Sequence, residues 1–253
     1  MTRPRILVVE DNAVIVNLLG VMLRALGYTQ VGSAPSGEVA IRRVIETDPD
    51  LILMDITLEG GIDGIETAIA IHSIFHIPIV FLTGSMDSDT IQRAKAAEPF
   101  GYITKPFNQN NIYSTIEIAF NNYELSGVKK SWKNRDLRVI MHAEKAILIT
   151  DAAGRILFMN PFAEFLTDWD ASRAFLRPIS DVVIMRDRSG MSTKELMEKI
   201  RNESINYRVE RVGTLSSQNG KQRTVKIRSH AYKNRHGELV SLLISLDQIF
   251  TGT

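Results

Sequence analysis

The chain has 253 residues, enough for one large domain or two of ordinary size, and two are expected. Cys is absent, which excludes disulfides, Cys-ligated metals and thiol catalysis. The 30 Lys+Arg and 29 Asp+Glu nearly cancel, but a cut after Ser126 leaves 8 basic against 15 acidic residues before it and 22 against 14 after it, so the halves carry net charges of −7 and +8.

The first half alternates short apolar runs with segments of helical period: "RILVV", "VIVNLLGVMLRAL", "TQVGSA", "EVAIRRVIE", "LILMD", "GIETAIAIHSIF", "IPIVFLT", "TIQRAKAA", "GYITK" and "NIYSTIEIAFNNY". This predicts five strands and five helices. Strands as continuously apolar as "RILVV" and "IPIVFL" are buried on both faces, which points to a doubly wound parallel sheet in an α/β fold. In such a sheet the ligand site lies beyond the carboxyl ends of the strands. Those ends place Glu10 and Asp11 after the first strand, Asp55 after the third, Thr83 after the fourth and Lys105 after the fifth. Three carboxylates within about 5 Å repel by roughly 3 kcal/mol per pair at an effective dielectric of 20, so a cation is expected among them. Hard oxygen ligands at an open edge suit Mg²⁺. Lys105 adds a second positive charge, the Thr83 hydroxyl can donate to a phosphoryl oxygen, and Asp55 at the centre is placed as a nucleophile toward phosphorus.

The stretches "VVEDN", "LILMDI", "IVFLTG" and "YITKP", in this order and spacing, resemble the receiver domain of response regulators in two-component signalling, over residues 3–124. The resemblance implies a flavodoxin-like, five-stranded fold with Asp55 as phosphoacceptor. It implies Mg²⁺ held by Glu10, Asp11, Asp55 and the backbone carbonyl of Thr57. It further implies that Thr83 and Tyr102 form the switch pair with Lys105 at the phosphoryl group, and that Thr57 and Ser85 tune dephosphorylation. Glu10 departs from the commoner Asp and lengthens one arm of the metal site.

The fifth helix places Ile112, Ile116, Ala119 and Tyr123 on one side, expected to face the sheet. Residues 125–136 read as a partly helical linker, with a break at Gly127 and with Val128, Trp132 and Val139 on one side. Two readings stay open: a helix that pairs with its twin in a homodimer, and a connector against the next domain.

The second half opens on "AILITDAAGRILFMNPFAEFLT", two apolar runs joined by "DAAG" and leading through Asn160 and Pro161 into a helix. After a mixed middle come "NYRVERVGTLSSQ", "KQRTVKIRSHAYKN" and "ELVSLLISLDQIF". These predict an antiparallel sheet with short helices in between. In the central strand Val225, Ile227, Ser229 and Ala231 share one face, and Thr224, Lys226, Arg228 and His230 the other. The arrangement over residues 137–250, with "RPISDVV" following the first helix, resembles an α+β PAS domain. Phe158, Met159, Phe162, Phe165 and Trp169 are candidates to line a cavity there, although plain core is the commoner role for such residues and no bound ligand is expected. Without Cys, a cysteinyl-flavin adduct is impossible. His72, His76, His142, His230 and His236 show no clustered metal spacing.

No apolar run approaches the roughly 20 residues of a membrane helix, and "MTRPRILVVE" lacks the apolar region and cleavage site of a secretory signal, so a cytoplasmic protein away from membranes is expected. No output enzyme is legible. The expected function is phosphorylation-dependent signalling: a sensor histidine kinase donates the phosphoryl group, and the receiver controls what the PAS half touches. A receiver face is a second candidate surface for homodimers. Two alternatives are a DNA-binding regulator using the basic half with Lys226 and Arg228, and a PAS-based small-molecule sensor.

Overall fold

The structure is a computed structural model and describes residues 3–75, 77–84, 88–126, 144–202, 209–233 and 239–249. The chain divides into two units, Met1–Arg135 and Asp136–Thr253.

The first unit runs β1 (Arg5–Val9), α1 (Ala13–Ala25), β2 (Thr29–Ala34), α2 (Gly37–Thr47), β3 (Leu51–Asp55), α3 (Gly64–Phe75), β4 (Ile79–Thr83), α4 (Ser88–Lys95), β5 (Gly101–Thr104) and α5 (Gln109–Leu125). The strands pair in parallel in the order β2-β1-β3-β4-β5. On one face Ile6, Val8, Leu51, Leu53, Val80 and Leu82 pack with Leu19 and Leu23 of α1 and Ile112, Ile116 and Ala119 of α5. The alternate residues Leu7, Ile52, Met54 and Phe81 are equally buried and point the other way, where α2 lies against β1 and β2 and α3 against β3. Burial on both sides explains why these strands read as unbroken apolar runs. Tyr123 is only half-buried and meets Phe100 edge-on, ring centroids 5.6 Å apart. The strand order reverses between β1 and β3, which brings the carboxyl ends of both to one crevice.

The second unit runs β6 (Ala146–Asp151), β7 (Ile156–Met159), α6 (Pro161–Thr167), α7 (Ala171–Ala174), α8 (Ile179–Val182), β8 (Ile184–Asp187), α9 (Thr193–Asn202), β9 (Val209–Ser216), β10 (Gln222–Lys233) and β11 (Leu239–Gln248). Its antiparallel sheet has the order β7-β6-β11-β10-β9-β8. Val225, Ile227 and Ala231 of β10 and Leu242, Ile244 and Leu246 of β11 form one core with Leu166, Ile179, Val182, Leu196, Met197 and Ile200 from the helices. Asn160 ties hairpin to helix: fully buried, its Oδ1 accepts from the amides of Ile147 and Ala163, both at 2.9 Å, and its Nδ2 donates to the Lys145 carbonyl at 2.8 Å. Pro161 follows at the first helical position, where its missing N–H costs nothing.

The opposite face of β10 is charged and internally paired. Lys226 Nζ lies 2.8 Å from Glu210, Arg228 Nε lies 2.8 Å from the same carboxylate, and Arg228 also meets Asp247. These pairs draw the Glu210 carboxyl down to about 2, first through the hydrogen bond from Lys226 and then that from Arg228. The two side chains read as a possible DNA-binding face are therefore already engaged with carboxylates of their own sheet.

Ser85, His76, His142 and His236 lie outside the described residues, as do Val128, Trp132 and Val139, on which both readings of the linker rest. Among the described residues no helix is long and apolar enough to cross a membrane.

Candidate functional site

Backbone pairing at the carboxyl edge of the first sheet sets the site. Asp55 is the last residue of β3 and Thr83 the last of β4, both buried. The Lys105 amide donates to the Thr83 carbonyl at 2.8 Å, which continues the β4–β5 ladder one residue past β5 and brings the lysine alongside. The Lys105–Pro106 peptide is cis. Asn12 caps α1, its side chain accepting from the amides of Val14 and Ile15, so that the chain turns immediately after Glu10 and Asp11.

Carboxylate oxygens of Glu10, Asp11 and Asp55 lie within 4.8 Å of one another, and this is the one such acidic cluster among the described residues. Lys105 Nζ sits 2.7 Å from Glu10 Oε2 and 2.8 Å from Asp55 Oδ2. Loop amides hold the other oxygens: Thr57 N–H donates to Asp55 Oδ1 and Glu59 N–H to Asp11 Oδ2, each at 3.3 Å. Burial raises the Glu10 carboxyl above its ordinary range; the Lys105 hydrogen bond opposes this and the Asp55 charge adds to it. For Lys105, burial acts downward, but the hydrogen bonds to Asp55 and Glu10 outweigh it and hold the ammonium above its ordinary value. The ammonium thus stays charged between two carboxylates that are almost fully withdrawn from water, 1% and 6% exposed at the side chain.

A family model described as a response regulator receiver domain matches residues 6–117, and one described as a PAS fold matches residues 135–249. The uncharacterized transcriptional regulatory protein YrkP of Bacillus subtilis is 31% identical over 166 residues, 60% of this chain and 70% of that protein. The chain belongs to the response regulators. It is also similar to the transcriptional regulatory protein PdtaR of Mycobacterium tuberculosis, 37% identical over 47% of this chain, and it spans only 58% of PdtaR's length. Among solved structures, the signal receiver domain of a modulated diguanylate cyclase from Desulfovibrio desulfuricans G20 is 38% identical over 49% of this chain and 99% of that one, with a TM-score of 0.47.

Within this response regulator, Glu10, Asp11, Asp55 and Lys105 come together as their strand-end positions lead one to expect, and Thr83 lies on the same edge. Tyr102, on β5, is opposite Phe81 in the ladder, the ring centroids 6.0 Å apart, and burial pushes its hydroxyl above the ordinary range. The side chain of Thr57 is exposed.

Three of the five PAS aromatic and Met candidates gather at one core, in the plain-core role, and Phe165 touches that group through Phe162, ring centroids 5.7 Å apart. Met159 is in the core, and Phe162 and Trp169 pack against it. Phe158 is buried outside that core, because neighbouring residues of a strand face opposite ways. Phe165 is 59% exposed and stacks with Arg223, whose guanidinium carbon lies 5.4 Å from the ring centre. Trp169 is likewise covered by Arg177 at 5.2 Å and Arg173 at 5.9 Å.

Beyond Thr57, sequence reading missed the β3–α3 loop, including Glu59, as part of the site. Its signals were Gly60 and Gly61 followed by Asp63 and Glu66, a reciprocal cap in which Glu66 N–H donates to Asp63 Oδ1 at 2.8 Å and Asp63 N–H to Glu66 Oε2 at 3.2 Å.

Proposed function

We propose that this response regulator is a phosphorylation-dependent signalling protein. Asp55 takes a phosphoryl group from a phosphohistidine of a partner sensor histidine kinase, and the receiver (3–124) acts through a linker (125–136) to change what the PAS domain (137–250) contacts. The observation that supports this best is the Lys105 ammonium shared by Glu10 and Asp55 within an acidic trio. In the transfer, an Asp55 oxygen attacks phosphorus, the new O–P bond forms as the donor's P–N bond breaks, and the leaving imidazole recovers a proton from solvent. Lys105 then follows the charge onto the phosphoryl oxygens, and the Thr83 hydroxyl donates to one of them. Thr83 and Tyr102 form the switching pair.

Hard carboxylate oxygens clustered at a partly open edge fit Mg²⁺, which Glu10, Asp11, Asp55 and the Thr57 carbonyl would hold. When bound it neutralises charge on the phosphoryl group. The phosphoryl group leaves when water attacks phosphorus and releases phosphate. Thr57 and Ser85 set how readily that water approaches. The chain is in this reading an acceptor with no separate enzymatic output. Wild type and Asp55→Asn incubated with a small acyl phosphate and Mg²⁺, then weighed by intact mass spectrometry, test it: wild type gains one phosphoryl group and the variant none. Full uptake by Asp55→Asn would overturn the assignment.

A further inference from the structure

We propose that Gly64 is a positioning residue for the acidic trio, with no direct contact to metal or phosphoryl group. It is buried at the first turn of α3, and a methyl group built on it would overlap the Asp55 carbonyl oxygen, stand 2.8 Å from the Asp55 carbonyl carbon and 3.0 Å from Ile56 Cα. All of these are backbone atoms, of Asp55 at the end of β3 and of the residue that follows it, so no side chain can rotate away to make room. The helix end therefore seats directly on the acceptor's own peptide unit, and only glycine permits it.

That seat closes a loop. Gly64 N–H donates to the Ile56 carbonyl at 3.0 Å, so residues 57–63 leave and rejoin the structure at one point. Leu58 and Ile62 are buried and anchor the excursion, and the Asp63–Glu66 cap starts the helix. Between these anchors, the Thr57 amide orients Asp55 and the Glu59 amide reaches Asp11. Moving α3 outward by the width of a methyl group shifts both amides together, and with them two of the three carboxylates.

This role rests on the function proposed above, but its test does not require phosphoryl transfer. Mn²⁺ is titrated into full-length wild type and Gly64→Ala, following loss of the free aqua-ion signal by electron paramagnetic resonance, with thermal melting by circular dichroism in parallel. The folded variant should bind Mn²⁺ about tenfold more weakly, equivalent to ~1.4 kcal/mol. A folded Gly64→Ala with the wild-type Kd overturns the proposal, as does a wild type that binds no Mn²⁺. Should Gly64→Ala not fold, Glu59→Pro decides: it removes the amide donated to Asp11 while leaving the α3 seat intact, so a weakened Kd supports the proposal and an unchanged one overturns it. Failure of wild type to accept a phosphoryl group, with the Mn²⁺ difference present, would count against the proposed function alone.

Discussion

Lys105 Nζ lies 2.7 Å from Glu10 Oε2, a direct pair between the residue after β5 and the residue after β1 that spans the whole site edge. The extra methylene of Glu10, where a shorter Asp is the commoner residue of the family, lengthens the arm that reaches the ammonium. Lys105 contacts Asp55 as well, so one cation screens both acids.

Lys105→Ala should therefore separate metal binding from phosphoryl chemistry. Loss of a charged donor aimed at developing negative charge costs about 10²-fold in rate. Initial rates of label uptake should fall by that order while the Mn²⁺ Kd stays near wild type. Unimpaired labelling would remove Lys105 from the reaction.

Glu10→Gln should raise stability at neutral pH in a chelator-containing buffer. The folded-state pKa of Glu10 is raised above 4.5, so its contribution is fully present below 4.5 and is lost as pH rises through the folded value. The variant should melt higher than wild type at pH 8, and the difference should close below pH 4.5. Added Mg²⁺ should stabilise wild type more than the variant.

Tyr28→Phe deletes a buried hydroxyl that donates to Glu117 Oε1 at 2.6 Å and ties the start of β2 to α5. A hydrogen bond to a charged acceptor at a partly buried site is worth about 1–2 kcal/mol, which urea denaturation should register. Burial, and then the Glu117 contact, raise the tyrosine above its ordinary value of 10, so its stabilisation holds below pH 10 and fades above it. The wild-type advantage should accordingly shrink in strongly alkaline buffer.

Asn160→Ala removes a buried side chain that accepts from two amides and donates to one carbonyl at the β6–β7–α6 junction. Leaving the Ile147 amide without its acceptor and the helix without its cap should cost about 2–4 kcal/mol. Limited proteolysis should then cut the second unit much faster and leave the first at its wild-type rate.

Glu210→Gln tests whether the charged face of β10 is a self-contained network. With its carboxyl at about 2, Glu210 contributes stability above pH 4.5 that is lost as pH falls toward 2. The variant should melt lower near pH 6, with the gap reduced by high salt and absent at pH 2. Salt-sensitive duplex DNA binding by wild type would instead revive the nucleic-acid reading of Lys226 and Arg228.

The first unit was legible because both of its sheet faces are covered. Runs such as "LILMD" and "IVFLT" need no periodicity argument, and each ends where a polar side chain meets the crevice. The middle of the second unit was harder. β8 is four residues with only Met185 buried, and α7 and α8 are single turns, too short for any period to emerge. In α9, Leu196, Met197 and Ile200 do form a helical stripe that the reading passed over. Aromatic content likewise named Phe158 and Phe165 without revealing which way each side chain points.

Sequence alone was sufficient for the succession of elements in the first unit and for the acidic and lysine residues at their strand ends, because these follow from hydrophobic patterning along a single strand or helix; the receiver-then-PAS order rested on the resemblance of whole stretches to those families. Tertiary structure decided which groups share a proton or a charge: Lys105 between Glu10 and Asp55, Tyr28 against Glu117, and α3 seated on the Asp55 peptide. Those relations join residues from 9 to 95 positions apart, and no local pattern encodes a distance of 3 Å between them.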